Sequence, residues 1–426
     1  MVSTQAQDRT TTVSESAWLG PGLALAVMGW GANQFPPLIV LYARELGLTA
    51  AVLNAIFGLY ALGLIPALLI GGRLSDRLGR KPIVLVSLAI SAVGTCLLIY
   101  GGEAVSALFA GRMLSGVANG LAFGTGAVWV KELSSTAGDA AAGPRRATIA
   151  MTVGFSAGPL VSGLCAQWLS APTVLPYLPH LVLLAIAVVA VRRAPDPRRH
   201  AAQTASPTQD AATTRQPGVV AHFVLVLLPF APWVFGTAAI ALAYLPALIA
   251  PEIAGHAMAF GAIVIGLAAS AGIVVQPLIR RIPHPESPRL LLISMGVALF
   301  GIGVAAWAAH WRSPWMVFSA SVLLGVAYGF TQFRGLVEVQ QIVGLHALGT
   351  ATAVYQILSY LGFAVPFLLS IAQSRTGLSP ATLLLIVGGI AAVATGWLAV
   401  ITRTYTHRHL YEHPGQASVT ESSPVR

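Results

Sequence analysis

Charge is what this chain of 426 residues has least of: Asp, Glu, Lys and Arg together make up 9% of it. Soluble domains carry roughly 25%. With 56% hydrophobic residues and a mean hydropathy of +0.77, a soluble fold would expose apolar patches that aggregate. Lipid covering most of the surface removes that difficulty. Hydrocarbon offers backbone polar groups no partner, which leaves helices or a closed barrel. The apolar runs last about 20 residues and lack the ten-residue alternation of barrel strands, so they read as helices. Cysteine is nearly missing as well. Cys96 and Cys165 both fall inside apolar runs, so neither a disulfide nor a metal site is expected. There is no G-x-x-x-x-G-K-[ST], no His/Asp/Glu cluster with metal-ligand spacing, and no nucleophile with an evident base. These absences argue against a nucleotide-driven pump and against a membrane enzyme or receptor, and they imply no cofactor.

What is present organises into twelve apolar runs, near 18–43, 49–71, 82–101, 104–130, 147–169, 172–191, 219–250, 257–278, 290–309, 315–341, 347–371 and 381–402. Only a short polar stretch separates the tenth from the eleventh. The expected fold class is an all-α polytopic membrane protein with 12 transmembrane helices in two six-helix pseudo-repeat bundles, over 18–191 and 219–402. Between them, 192–218 is rich in Pro, Ala, Thr and charge, and reads as a flexible linker. Residues 1–17 are polar and lack a signal-peptide core. The run from Trp18 is too long for a signal and lacks a clear cleavage site, so it is expected to remain as a span.

The net charge is +10, yet the basic residues are scattered through short loops without interleaved aromatics, so nucleic acid is not an expected partner. They follow topology instead. With the N-terminus in the cytoplasm, all but four of the 24 Lys and Arg fall on the inner side. Arg44, Arg312 and Arg375 lie outside, and Arg112 lies within a span. That positive-inside bias places both terminal tails, 1–17 and 403–426, in the cytoplasm. "GVANGL" at 116–121 and "GVAYGF" at 325–330 stand 209 residues apart, Gly126 meets Gly335 at the same offset, and "GL" at 58–59 meets "GL" at 266–267 within one residue. Shared offsets favour two homologous halves, a plan common in transporters.

Between spans 2 and 3 lies "GGRLSDRLGRK", 71–81, read as an inner loop. Gly72 is expected to allow close helix approach and Gly79 a tight turn, with Pro82 in the first turn of span 3. Written G-x-x-x-D-R-x-G-R-K, the stretch (Gly72, Asp76, Arg77, Gly79, Arg80, Lys81) resembles the signature loop of the major facilitator superfamily. In that family the acid latches the inner end of span 11 when the inner face closes, which here falls near Gly349 and Thr350. The second half keeps only "RRIPHPESPR" at 280–289.

Span 4 carries Arg112 in "AGRMLSGVANG", where a charge costs at least a few kcal/mol unless hydrated or paired. Snorkelling to the outer face is the plain alternative. Arg112 followed by Gly116 resembles a second superfamily motif, found in proton-linked members. Span 5 holds "GFSAGPLVSG": Gly154, Gly158, Pro159 and Gly163, with Ser162 where the family pattern has glycine. Residues 154, 158 and 162 form one small-residue stripe against which another helix can pack, and Pro159 deprives the Phe155 carbonyl of its helical donor. That pair resembles the span-5 motif of the superfamily's antiporters, in particular the 12-span drug/proton group.

Arg334 and Glu338, four apart near the end of span 10, can pair on one face. They lie in the inner half of a long helix, or at the interface if the helix ends at Phe333. Glu132 is read as interfacial, as are His180 and His346. Asp76, Glu132 and Glu338 are the carboxylates available to carry a proton, with Arg112 and Arg334 as further coupling candidates. Trp30, Asn33, Gln34, Asn119, Trp233, Tyr328, Tyr355, Gln356 and Tyr360 together describe a cavity of amides and rings suited to an amphiphilic guest; each one singly also fits helix packing. Span 1 contains no carboxylate, unlike many cation-exporting relatives. The resemblance therefore implies a monomeric plasma-membrane exporter of small organic compounds working by alternating access, with protons as the coupling ion. An uptake symporter for a metabolite or organic anion is the alternative.

Overall fold

The computed structural model describes residues 16–134, 142–196, 217–253, 255–282, 287–343 and 348–405. Among them, twelve helical segments are long and apolar enough to cross a membrane. The first six are Leu19–Glu45, Ala50–Leu78, Arg80–Tyr100, Val105–Ser134, Ala142–Trp168 and Leu175–Arg193; the second six are Gly218–Ile253, Ala257–Ile279, Pro288–Trp311, Pro314–Ile342, Thr350–Thr376 and Pro380–Arg403. Outward faces are apolar, as lipid requires: Val393 in span 12 is 75% exposed. Trp168, Trp311 and Trp315 are exposed near helix ends, where the amphipathic indole suits a membrane–water interface. Cys96 and Cys165 are free thiols.

The clearest departure from the expected boundaries is at 71–81. Span 2 does not stop at 71 but continues as helix to Leu78, and span 3 starts at Arg80. Hydropathy marks where lipid ends; helical hydrogen bonds carry on into water. The expected loop shrinks to Gly79, whose φ of 92° is a conformation that side-chain-bearing residues rarely adopt. Gly72 is not a contact point. A Cβ there would meet nothing within 4 Å, whereas one at its neighbour Gly71 would come within 3.2 Å of Leu121 Cα.

The internal repeat has a physical basis. Gly116 and Gly120 of span 4 lie against the Tyr60 and Leu64 carbonyls of span 2, and Gly325 and Gly329 of span 10 lie against the Ala268 and Gly272 carbonyls of span 8. Lipid is as apolar as leucine, so helices associate through close backbone packing at small residues. Each half thus contains a matching helix pair seated glycine-on-carbonyl. The "GL" pair marks the seam: a Cβ at Gly58 would lie 3.4 Å from the Phe363 carbonyl oxygen of span 11, and one at Gly266 3.2 Å from the Ser156 carbonyl oxygen of span 5. Span 2 meets span 11 as span 8 meets span 5. Gly126 and Gly335 share no role, for Gly126 abuts Leu25 and Gly335 abuts the Tyr355 ring.

A methyl group at Gly116 or Gly325 would collide with backbone that cannot move aside. Gly116→Ala and Gly325→Ala are each expected to destabilise the protein by about 1–3 kcal/mol, lowering the apparent Tm in detergent. Gly72→Ala is expected to leave it unchanged or raise it, since alanine favours the helix by about 0.5–1 kcal/mol. Scanning fluorimetry of the three variants checks this.

Candidate functional site: a central cavity between the halves

Spans 1, 2, 4 and 5 of the first half and 7, 8, 10 and 11 of the second surround a cavity of about 400 Å³, to which spans 3, 6, 9 and 12 contribute no lining. Its deep end is a cluster of rings. Phe235 stacks on Tyr360 and Phe363 with centroids 4.5 and 5.0 Å away; Phe363 lies 5.3 Å from Phe57, and Tyr328 lies 5.4 Å from Phe235. Local backbone breaks aim these rings. In span 11 a 3₁₀ turn, Leu361–Ala364, interrupts the helix. Such a turn eclipses positions three apart, so Tyr360 and Phe363 face the same way. In span 7, Phe235 sits on the helical piece Pro232–Ala239, which is followed by a π-turn over Ile240–Tyr244.

Span 1 breaks too, and the break supplies hydrogen-bond acceptors. Its helix Leu19–Asn33 gives way to a 3₁₀ turn at Pro36–Leu38 before resuming at Ile39. Pro36 has no N–H, so the Ala32 carbonyl four residues back loses its helical donor. Arg112 supplies one: its Nη1 donates to Ala32 O at 3.1 Å, while Nη2 donates to Phe57 O at 3.4 Å. The Leu38 amide turns to Phe35 O, and Ser162 Oγ donates instead to Gln34 O at 2.8 Å. Pro159 has the same effect in span 5, where Asn33 Nδ2 donates to the Phe155 carbonyl at 3.4 Å.

Arg112 does not snorkel. It is 1% exposed, with its guanidinium carbon 4.8, 5.1 and 5.8 Å from the ring centroids of Tyr60, Phe35 and Phe57. Ring faces attract a cation, more strongly where water is excluded. No carboxylate pairs with it among the described residues; the titratable groups near it are the hydroxyls of Tyr60 and Tyr177.

Of the residues expected to line a cavity, Asn33, Tyr328, Gln356 and Tyr360 do so, together with Arg112. Five others pack away from it. The Trp30 backbone carries the span-5 stripe, and Trp233 belongs to the second-half core. Asn119 bonds the Tyr60 hydroxyl, and Tyr355 donates to Thr331 O at 3.2 Å. Gln34 Nε2 approaches His180 Nδ1 at 3.2 Å. The sequence reading missed Phe57, Tyr60, Phe123, Phe155, Phe235, Gln332, Thr352 and Phe363. A single Phe in an apolar helix carries no signal of its own; proline and glycine beside it are the only cue.

The span-5 stripe seats on span 1. Gly154 lies against Ala26 O, and a Cβ at Gly158 would come within 2.6 Å of Trp30 O. Gly163 instead faces span 8 across the seam, 2.9 Å from Met258 O. Hydrogen bonds joining the halves include Ser156–Ser270 at 2.8 Å, Asn54 to Ser370 at 2.9 Å and Gln167 to Gly255 O at 2.6 Å. The last two lie at the end opposite residues 71–81, which they and the ring cluster close. Toward the 71–81 end the wall residue Gly124 is exposed, so the cavity opens that way.

Charged groups gather at that open end. Arg80 is buried and donates to Asp76 Oδ1 at 2.9 Å, Ser75 Oγ at 2.6 Å and Glu132 Oε1 at 3.4 Å; the Asp76 side chain is 60% exposed. Glu132, expected at the interface, is half-buried. Lys81 Nζ donates to Ala194 O at 2.9 Å, its backbone N–H to Asp196 Oδ2 at 3.4 Å, and Trp129 Nε1 to Pro195 O at 3.1 Å. The first residues assigned to a flexible linker are therefore pinned to spans 3 and 4; 197–216 lie outside the described residues. Span 10 runs to Ile342, so Arg334 and Glu338 are buried inside it and paired rather than interfacial. His222 of span 7, which the sequence reading passed over, joins them with Nε2 2.8 Å from Glu338 Oε1.

His180 corrects a further expectation, for it is fully buried rather than interfacial. Its Nε2 faces Val27 O at 3.1 Å, and Nδ1 faces Thr95 Oγ1 at 2.9 Å. A carbonyl only accepts, so Nε2 carries the proton and Nδ1 accepts from Thr95 and Gln34. One neutral imidazole thereby ties span 6 to spans 1 and 3. His346 lies outside the described residues.

Residues 19–367 match the family profile described as Major Facilitator Superfamily. The chain belongs to that superfamily. It is a multi-pass membrane transporter and not an enzyme, in a family that takes small-molecule substrates and often couples to protons. Over 78 residues it is 37% identical to the multidrug resistance protein MdtL of Klebsiella pneumoniae strain 342, and 36% identical to that of strain ATCC 700721 / MGH 78578. That alignment covers 18% of this chain and only 20% of the length of those relatives. Among solved structures, the fold is similar to the nucleoside transporter NupG (TM-score 0.69, 15% identity, 91% of this chain and 99% of that one). It is also similar to the peptide transporter POT in complex with sulfate (0.73, 15%, 91% and 94%) and to a D-xylose–proton symporter (0.66, 14%, 90% and 96%). Identities this low show the fold alone.

Replacing His180 with Leu would remove the shared partner of the buried Gln34 and Thr95 side chains. A loss of about 3 kcal/mol is expected, read as a lower apparent Tm, with His180→Gln retaining part of it.

Proposed function

We propose that this transporter exports small amphiphilic organic compounds across the cytoplasmic membrane, driven by protons moving inward. The observation that carries the reading is a cavity between two glycine-seated bundles, shut at one end by rings from both halves and open toward residues 71–81. The positive-inside bias makes that open end cytoplasmic and both termini with it. The bundles 18–191 and 219–402 rock about the seam within a single chain, joined by 192–218. Export is supported by the span-5 Gly-Pro stripe and by the partial similarity to a protein named for multidrug resistance.

Asp76, in its Arg80 network, serves inner closure by engaging the inner end of span 11, with Arg77, Gly79 and Lys81 shaping and anchoring the turn. Gly72 has no packing role in that reading. The span-5 stripe limits leak along the seam. Glu338 is the proton carrier, being a buried carboxylate faced by Arg334 on its own helix and by His222 from span 7. A protonated Glu338 releases both partners, which would loosen span 7 from span 10.

In inside-out vesicles acidified by respiration and followed with a pH dye, addition of an exported compound is expected to release protons; an uptake symporter gives no such release. Asp76→Asn and Arg112→Ala are each expected to reduce export about tenfold or more with protein still in the membrane, and normal efflux from both removes their roles. Glu338→Gln is expected to abolish proton-driven accumulation while substrate exchange continues. A disulfide in Asn54→Cys/Ser370→Cys, made with Cys96 and Cys165 replaced by Ala, is expected to halt transport until it is reduced.

A further inference from the structure

We infer that the cavity selects aromatic organic anions, with Arg112 as the group that receives the negative charge. The inference rests on the reading of this cavity as the transport site and adds the substrate's chemistry to it. Among the described residues, Arg112 is the charged one that lines the cavity, and Asp and Glu are absent from that lining. Any guest therefore meets a net positive wall.

The guanidinium has five N–H donors. Ala32 O and Phe57 O take one each and Nε is buried, which leaves one N–H on each of Nη1 and Nη2. The remaining donors suit a carboxylate, which accepts from a guanidinium in a fixed fork geometry. An ammonium ion placed there would meet like charge. Ring faces alone attract a cation, but Phe57 and Tyr60 already spend theirs on Arg112.

The rest of the wall fits the same guest. Phe235, Tyr360 and Phe363 present flat stacking surfaces in the deep end. Gln332 and Gln356 belong to the same wall, and a glutamine amide carries two N–H donors suited to an anion. A volume of about 400 Å³ is at the small end for ligand pockets, which suits one or two fused rings bearing one charge.

The test uses one scaffold in three charge states: 2-naphthoate, 2-naphthamide and 2-naphthylmethylammonium, titrated into the full-length protein in detergent by calorimetry. The carboxylate is expected to bind most tightly and the ammonium least, about tenfold or more apart. Arg112→Gln is expected to weaken the carboxylate about tenfold, a difference of about 1.4 kcal/mol, while the amide changes little. Asn33→Asp, which adds an acid to the same wall without touching Arg112, is expected to reverse the order and keeps the test usable if the Arg112 variant does not fold. Ammonium binding as tightly as carboxylate, no binding of any of the three, or an equal loss of all three in Arg112→Gln would overturn the inference. Efflux from proteoliposomes separates the two claims: a carboxylate preference without outward transport removes the export reading and leaves the selectivity standing.

Discussion

Everything in this fold depends on helices approaching to backbone contact in a solvent that gives them no hydrophobic reason to associate. Gly116 and Gly120 against span 2, and Gly325 and Gly329 against span 8, make that approach possible at matching places. Each half then has a fixed internal pair. At the boundary between halves the contacts are mixed: glycines at Gly58, Gly163 and Gly266, a serine pair, and the tilted rings of Phe57 and Phe363. Rings and hydroxyls can part and re-form at little cost compared with a glycine-on-carbonyl seat.

The second organising feature is the use of proline to free backbone carbonyls inside the membrane. An unsatisfied carbonyl in hydrocarbon is expensive, so each break must come with a donor. Ala32 O receives Arg112, Gln34 O receives Ser162, and Phe155 O receives Asn33. The same contacts solve a second problem, because they hold a buried guanidinium that has no carboxylate. Two carbonyls and three ring faces take the place of a counter-ion. A polar group at one side of the cavity is thereby fixed by the backbone of the two helices packed against it.

Much of this was legible in the sequence. Span number, the offset of the repeat and the consequence of Pro159 all follow from local pattern, because hydropathy and proline chemistry act within one or two turns. The site was half legible. Asn33, Gln356 and Tyr360 stood out as polar or amphipathic residues in apolar helices, and so did Gln34 and Asn119, which instead satisfy His180 and Tyr60. Composition cannot distinguish an amide aimed at a cavity from one aimed at a neighbouring helix. The His222–Glu338 contact spans 116 residues, a separation at which single-sequence spacing has no content. Gly71 and Gly72 show the same limit at the smallest scale: the motif names Gly72, and the helix turns Gly71 toward span 4.

Charge in the cavity constrains how coupling can work. In a cation exporter a cavity carboxylate can bind proton and substrate in turn, so competition for one group enforces exchange. Here the lining holds Arg112 and no acid, which removes that competition. The buried carboxylate is Glu338, away from the lining and tied to span 7. On the proposed role of Glu338, coupling between the two passes through the packing of spans 7, 10 and 11, where Tyr355 contacts both Thr331 and Gly335. An exported anion and an entering proton also carry charge in the same electrical direction. At about 2.3 kcal/mol per charge per 100 mV, a one-for-one exchange gains roughly twice that from the membrane potential. A cavity without an acid is therefore no handicap to an anion exporter: the potential supplies the drive that shared protonation supplies elsewhere, and the protein need only make opening at one face conditional on closure at the other.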